Sequence, residues 1–386
     1  LTALAELQEL ESENLLSTYR RAPVQFVRGE GARLWDDEGN EYLDFLAGIS
    51  VLNVGHCNPR VVAAIREQAG RLMHVSNLFY TEPGMRLAQQ LAASSLGGKV
   101  FFCNSGAEAN EAALKLVRKA RRGGEIVVLR DAFHGRTFGA LSATPQEDKQ
   151  APFAPLVPGF KVVAKDPAAL TAAVGPQTAA VLLEVVQGEG GVVPLDDELL
   201  LAARAACDRH GAALVFDEVQ TGMGRTGTLW AYQQTPVVPD AITVAKSLGG
   251  GLPIGALVTG PKLAGVFAPG DHASTFAGGP LVCSAALEAL AICSQPELLA
   301  SVRTLGERLA AQLAELPFVA SVRGRGLLLG VQLADGVDAN EIVLRALSEQ
   351  HLVINAPKPS VLRLEPPLIV SAEEIDDAVA RLARLG

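Results

Sequence analysis

Between about residues 85 and 260 the chain alternates short runs of consecutive apolar residues with longer stretches whose apolar positions recur every three or four residues. The runs at 99–103, 126–129, 181–185, 213–217, 242–245 and 255–259 lack the alternation of a half-exposed strand and read as strands buried on both faces. Strands separated by helices pair in parallel through crossovers, so this block predicts a mostly parallel sheet covered by helices. Ahead of it, 4–16 reads as an amphipathic helix and 24–45 as a β meander, with turns at Gly29-Glu30-Gly31 and Asp37-Glu38-Gly39-Asn40. Residues 59–72, 281–293 and 296–316 read as helices. The tail changes to a strand (327–332), a helix (339–349), two strands (352–355 and 361–364) and a helix (372–385), a separate α+β pattern. The predicted organisation is α/β. An N-terminal segment, 1–58, packs with a small domain; a large domain, 59–285, is built on the sheet; the small α+β domain is 286–386.

A chain of 386 residues with 49% hydrophobic and 19% charged residues is long and apolar enough for two or three packed units, and is neither disordered nor fibrous. Its net charge of −9 argues against nucleic acid or an anionic membrane surface as a partner. No apolar run approaches the roughly 18 residues of a membrane-spanning helix. Cys57, Cys103, Cys207, Cys283 and Cys293 are scattered without C-x-x-C pairing, so free thiols in a reducing cytosol are expected rather than disulfides or a metal site. Residues 1–16 carry neither the basic start of a signal peptide nor the arginines of a transit peptide, so a cytoplasmic location is expected. With no initiator methionine at position 1, residues ahead of Leu1 are expected as well.

Two of the buried runs end in charge. Asp217 closes Ala213-Leu214-Val215-Phe216, and Lys246 closes Ala241-Ile242-Thr243-Val244-Ala245 ahead of a glycine-rich stretch. A lysine and a carboxylate delivered to strand ends suit pyridoxal phosphate: the lysine forms a Schiff base with the aldehyde, and the carboxylate keeps the pyridine nitrogen protonated. Each residue alone is an ordinary solvated strand end. Asp217-Glu218 also resembles the metal-binding strand of a nucleotide hydrolase, but that reading needs a G-x-x-x-x-G-K-[ST] stretch, which the sequence lacks. Asn104-Ser105-Gly106 is a turn that opens a strong helix. A helix N-terminus with free N–H groups suits a phosphate, and Ser105 adds a hydroxyl, although a serine N-cap precedes many helices. The next strand exit carries Phe133-His134-Gly135-Arg136. Phe133 suits stacking on a planar ring or a core contact, His134 a structural hydrogen bond, and Arg136 a carboxylate clamp.

In order and over nearly the whole chain, the segments GEGARLWD (29–36), GHCNP (55–59), NSGAEANE (104–111), FHGR (133–136), QGEGG (187–191), FDEVQTGMGRTG (216–227) and AKSLGGG (245–251) resemble the class III aminotransferases, pyridoxal phosphate enzymes of fold type I. The resemblance implies that Lys246 carries the cofactor and shuttles a proton and that Asp217 pairs with the pyridinium nitrogen. It implies that Val219 and Phe133 sandwich the ring, that Gln220 lies near the ring hydroxyl, and that Ser105, Gly106 and Ala107 hold the phosphate. It implies a homodimer with shared active sites, in which Thr275, beside Ser274, reaches the phosphate of the other subunit's cofactor. Arg136 would bind the substrate α-carboxylate, with Tyr19 at the pocket entrance. Arg363 would be a second carboxylate-binding arginine, masked by Glu189 for an ω-amino donor and released for an acceptor with two carboxylates.

The implied reaction moves the ω-amino group of N2-acetyl-L-ornithine to 2-oxoglutarate, in arginine synthesis. Carrier-protein-linked lysine synthesis, with a carrier protein as partner, and other ω-amino donors (ornithine, succinylornithine, 4-aminobutyrate) are the alternatives. An aminomutase or an inactive homologue is the rival outside transfer. The chain departs from the family where E-P-[IV]-Q-G-E becomes Glu184-Val185-Val186-Gln187-Gly188-Glu189, and where G-G-N-P becomes Ala277-Gly278-Gly279-Pro280 next to Thr275. Ile49 stands where ornithine-specific members tend to carry tyrosine, which leans against free ornithine.

Overall fold

The computed structural model describes residues 3–386; the first two residues of the expected N-terminal segment lie outside them. Seven strands form the central sheet in the order Val100–Cys103, Gly255–Thr259, Ala241–Val244, Ala213–Asp217, Thr178–Leu183, Glu125–Leu129 and Phe160–Val163. Neighbours run parallel except at Gly255–Thr259, which is antiparallel to both of its partners. The reason is the connection: residues 245–254 hold only the short 3-10 turn Lys246–Gly249, too little for the crossover that a parallel return requires. Thr178–Leu183 and Ala213–Asp217 are buried at every position, as continuous apolar runs predict. Phe160–Val163 escapes that pattern because it is the sheet edge, with Lys161 and Val162 exposed.

Helix Gly106–Ala120 packs across Gly255–Thr259 and Ala241–Val244, while helix Asp197–His210 packs on Ala213–Asp217 and Thr178–Leu183. Helix Pro280–Cys293 runs unbroken through residue 285 and lies against helices Pro59–Ala69 and Glu82–Ser94. A second, antiparallel sheet has the order Val319–Arg325, Leu328–Leu333, Val361–Leu364, Asn355–Lys358. Helices Pro296–Ala314 and Ala339–Gln350 pack on it, and Ala372–Ala383 packs on both of them.

The N-terminal meander, Phe26–Glu30, Arg33–Asp36 and Glu41–Asp44, gains Leu352–Val353 as a fourth, parallel strand. The single strand expected at 352–355 therefore divides at Ile354 between two sheets. Arg225, fully buried, ties these parts together. Its Nη1 donates to Leu327 O and Pro366 O, and its Nη2 to Asn53 Oδ1. Burial lowers its pKa to about 10.

Candidate active site

Asp217 ends its strand with a side chain only 4% exposed. Its Oδ1 accepts from Val219 N at 3.0 Å. Its Oδ2 accepts from Asn110 Nδ2 at 2.8 Å and lies 2.8 Å from His134 Nδ1. Asn110 is itself fixed: Nδ2 also donates to His134 O (2.7 Å), and Oδ1 accepts from Thr243 Oγ1 (2.9 Å). The carboxylate is held by donors from a helix, a loop and its own turn, so its direction is set before any ligand arrives.

Lys246 follows the neighbouring strand at φ 21°. Among the described residues its amine has no hydrogen-bond or ion-pair partner. Burial lowers its pKa; the charge of Glu365 opposes that shift, and Arg363 adds to it. A cavity of about 290 Å³ joins Lys246 and Asp217 to Gly106, Ala107, Phe133, Val219, Gln220, Arg136, Glu184 and Glu189.

Ser105 caps helix Gly106–Ala120, its Oγ accepting from Glu108 N at 3.2 Å, while Asn104 donates back to Glu108 Oε2. The N–H groups of Gly106 and Ala107 are left for the cavity. Gly106 is required by contact rather than by backbone angle: a Cβ there would lie 2.7 Å from Val219 Cγ1. Phe133 and Val219 both line the cavity, and the Arg136 guanidinium sits 5.7 Å over the Phe133 ring. Glu184, buried, accepts from Phe133 N (3.0 Å) and Gly188 N (3.2 Å), tying two cavity walls together. Burial pushes its carboxyl well above the usual range.

At the rim, Arg363 is fully buried and Glu189 partly exposed. Arg363 Nη1 donates to Glu189 Oε1 at 2.7 Å, and Nε to Asn355 Oδ1 at 3.1 Å. Arg363 Nη2 is buried without a partner among the described residues, an uncommon state for a donor and one suited to an incoming carboxylate. Burial opposes the charge on Arg363, but Glu365 and then Glu189 outweigh it and raise its pKa. Arg363 in turn outweighs the effect of burial on Glu189 and holds that carboxyl low.

Pyridoxal phosphate fits this donor set. Backbone N–H groups at a helix start suit its phosphate, a fixed buried carboxylate its ring nitrogen, and an unpaired amine of lowered pKa its aldehyde.

Two expected residues, Ser105 and Arg363, adjoin the cavity without lining it, and three more lie elsewhere. Ser274 Oγ accepts from Asn104 Nδ2 at 2.9 Å, next to Ser105 but outside the cavity, and Thr275 beside it is exposed. Tyr19, expected at the pocket entrance, is 74% exposed in a larger groove of about 840 Å³ along helix Ala3–Asn14. There Arg21, which pairs with Glu11 of that helix, lies 5.5 Å over its ring. Sequence alone does not single out Asn110, Glu184, Asn355 or Glu365. Asn110 and Glu184 stand inside quoted motifs, and motif membership was the only signal available for them.

The chain matches the class-III aminotransferase family over residues 17–385. It belongs to that family and is a transaminase dependent on pyridoxal phosphate. It is 49% identical over 380 residues to the acetylornithine aminotransferase of Caldanaerobacter subterraneus subsp. tengcongensis, covering 96% of each chain. It is 45% identical to the succinylornithine transaminase of Yersinia pseudotuberculosis serotype I, covering 96% of this chain and 94% of that one. The crystal structure of the ornithine aminotransferase from Toxoplasma gondii ME49 superposes with a TM-score of 0.94 at 35% identity, covering 100% of this chain and 95% of that one.

Proposed function

We propose that this aminotransferase moves the ω-amino group of N2-acetyl-L-ornithine to 2-oxoglutarate, releasing N-acetyl-L-glutamate 5-semialdehyde and L-glutamate. The observation that carries the reading is one cavity lined by an unpaired lysine amine and by Glu189, the partner of the buried Arg363. The 49% identity to an acetylornithine aminotransferase supports the donor.

Bound pyridoxal phosphate supplies the electron sink that lets the substrate carbon release its proton. Lys246 takes that proton and returns it; burial lowers its pKa, which favours the neutral amine this step needs. Asp217, oriented by Asn110 and His134, would pair with the ring nitrogen and keep it protonated. Gly106, Ala107 and Ser105 would hold the phosphate, Phe133 and Val219 would bound the ring, and Gln220 would serve its hydroxyl. Arg136 takes the α-carboxylate bidentately. Glu189 covers Arg363 while the ω-amine reacts, and swings away when the second carboxylate of 2-oxoglutarate arrives.

The working unit is a homodimer. Leu78, Phe79, Tyr80 and Phe276 are exposed apolar side chains, and Asn77 Nδ2 binds their segment to Ala277 O at 2.9 Å, beside Thr275. A second copy covers this patch, and Thr275, with Ser274 behind it, reaches the phosphate bound there. The enzyme works in the cytoplasm, in keeping with five unpaired cysteines. No single helix among the described residues is long and apolar enough to cross a membrane.

The test is a half-reaction: purified enzyme mixed with one donor at a time, following loss of cofactor absorbance. Rapid conversion with acetylornithine, and slow or no conversion with succinylornithine, carrier-linked lysine and 4-aminobutyrate, is expected. Conversion with only one of the others would reassign the donor while leaving the Lys246 and Asp217 roles in place.

A further inference from the structure

Arg363 has a second acidic neighbour, and it differs from Glu189 in every physical respect. Glu365 lies two residues on, at the end of strand Val361–Leu364, so that the two side chains project to the same side. Its Oε1 is 3.3 Å from Arg363 Nε, and both side chains are 0% exposed. Its Oε2 accepts from Ser50 Oγ (2.6 Å) and Gln220 Nε2 (3.0 Å), and its backbone N donates to Phe45 O (2.8 Å).

Ser50 is itself locked. Ala47, Gly48, Ile49 and Ser50 form a left-handed turn with φ of 50°, 64°, 64° and 58°, and Asp44 Oδ1 accepts from the N–H groups of Leu46 and Ala47 at its start. Glu189, by contrast, has a 30% exposed side chain that can re-enter water. Glu365 cannot leave; Glu189 can.

We propose that Glu365 is a permanent second counterion of Arg363, a specificity-determining residue that weakens the arginine's grip on the second carboxylate of a dicarboxylate substrate, the one on its reacting carbon. The inference rests on the reading that Arg363 receives that carboxylate. When Glu189 swings out, the guanidinium left behind is still neutralised through Nε, and Asn355 holds the same edge. The incoming carboxylate then meets the Nη donors in fixed geometry but little net positive charge. This permits glutamate and 2-oxoglutarate to dissociate readily, and it lets a donor without a second carboxylate share the pocket. Glu365 also carries the largest charge effect on the Lys246 amine, so its removal has a second signature at the lysine.

The experiment measures binding of glutarate, an unreactive dicarboxylate, to the cofactor-loaded enzyme by calorimetry. Glu365→Gln keeps the shape and removes the charge; glutarate is expected to bind about tenfold tighter. The pH midpoint of the bound cofactor's absorbance is expected to move down. Unchanged or weaker glutarate binding at normal cofactor content would overturn the inference. Arg363→Gln is the control: if it leaves glutarate affinity unchanged, the underlying reading of Arg363 fails. If it weakens binding while Glu365→Gln does not tighten it, only the role of Glu365 fails. Should Glu365→Gln not fold, Ser50→Ala frees the carboxylate to lean on Arg363 and is expected to weaken glutarate binding about threefold. Unchanged or tighter binding there overturns the inference equally.

Discussion

Replacing Glu189 by alanine removes the one mobile charge on Arg363 and leaves the fixed one in place. Glu189 Oε1 and Arg363 Nη1 are 2.7 Å apart. Two unit charges about 4 Å apart attract by about 4 kcal/mol at an effective dielectric of about 20. Water regained by the displaced Glu189 offsets part of this, and a charge-assisted hydrogen bond nets about 1.5–3 kcal/mol. In the wild type that energy opposes any substrate whose second carboxylate must displace Glu189; in Glu189→Ala it does not. The expected result is a gain of about 10- to 100-fold in kcat/KM for glutamate relative to acetylornithine. The assay is rapid mixing of loaded enzyme with each amine alone, reading the cofactor absorbance, so that the two half-reactions are measured without each other. A ratio within about threefold of wild type, well below the factor that ~1.5 kcal/mol implies, would refute the masking argument.

Gly106→Ala places a Cβ 2.7 Å from Val219 Cγ1. Overpacking there is expected to cost about 1–3 kcal/mol of cofactor affinity, read as about a 5- to 150-fold rise in the dissociation constant by titration of apoenzyme; unchanged affinity would mean that Val219 yields freely. Arg225→Met leaves Asn53 Oδ1, Leu327 O and Pro366 O without their donor, and a loss of about 3 kcal/mol or more in denaturant unfolding is expected. Glu218, buried beneath Ala231 N, Tyr232 N and Thr221 Oγ1, has its carboxyl pushed up to about 7 from 4.5 by burial. Below about pH 4.5 the folded and unfolded chains both hold this proton; between 4.5 and 7 only the folded chain does, so stability falls as pH rises through that window, by up to about 3 kcal/mol. Glu218→Gln cannot accept all three bonds and is less stable at low pH, but its loss of stability between pH 4.5 and 8 should be smaller than that of wild type; an equal loss would place the pH dependence elsewhere.

The proposed chemistry puts demands on the shell behind the cavity as well as on its lining. Asp217 is aimed by Asn110 and His134, and the wall residue Phe133 is joined through the Glu184 carboxylate to Gly188, next to Glu189. His134 Nε2 is buried without a partner, so the ring is committed to Asp217 through Nδ1. The valine at 185 is fully buried, a position where hydrophobic packing serves without the proline common in the family.

What the sequence determined by itself follows from local physics. Buried parallel strands must be continuously apolar, so the runs at 181–185, 213–217 and 242–245 mark strands that the structure places at Thr178–Leu183, Ala213–Asp217 and Ala241–Val244, and with them the strand exits that deliver Asp217 and Lys246. Glycine and serine ahead of an amphipathic run marked the start of helix Gly106–Ala120. Elements half open to solvent were not legible: Phe160–Val163 is a sheet edge, and Val319–Arg325 carries serine, arginine and glycine with no fully buried position. Tertiary structure alone decided which charges meet. Ser50 and Glu365 are 315 positions apart, Arg363 and Glu189 are 174, and nothing local in either segment encodes the meeting. The left-handed turn that aims Ser50 contains alanine and isoleucine, residues that do not announce a positive φ. Burial then did the rest: the same lysine, arginine and carboxylates on an exposed surface would be screened by water, and only the enclosed packing around residues 50, 246 and 363 makes their charges act on one another.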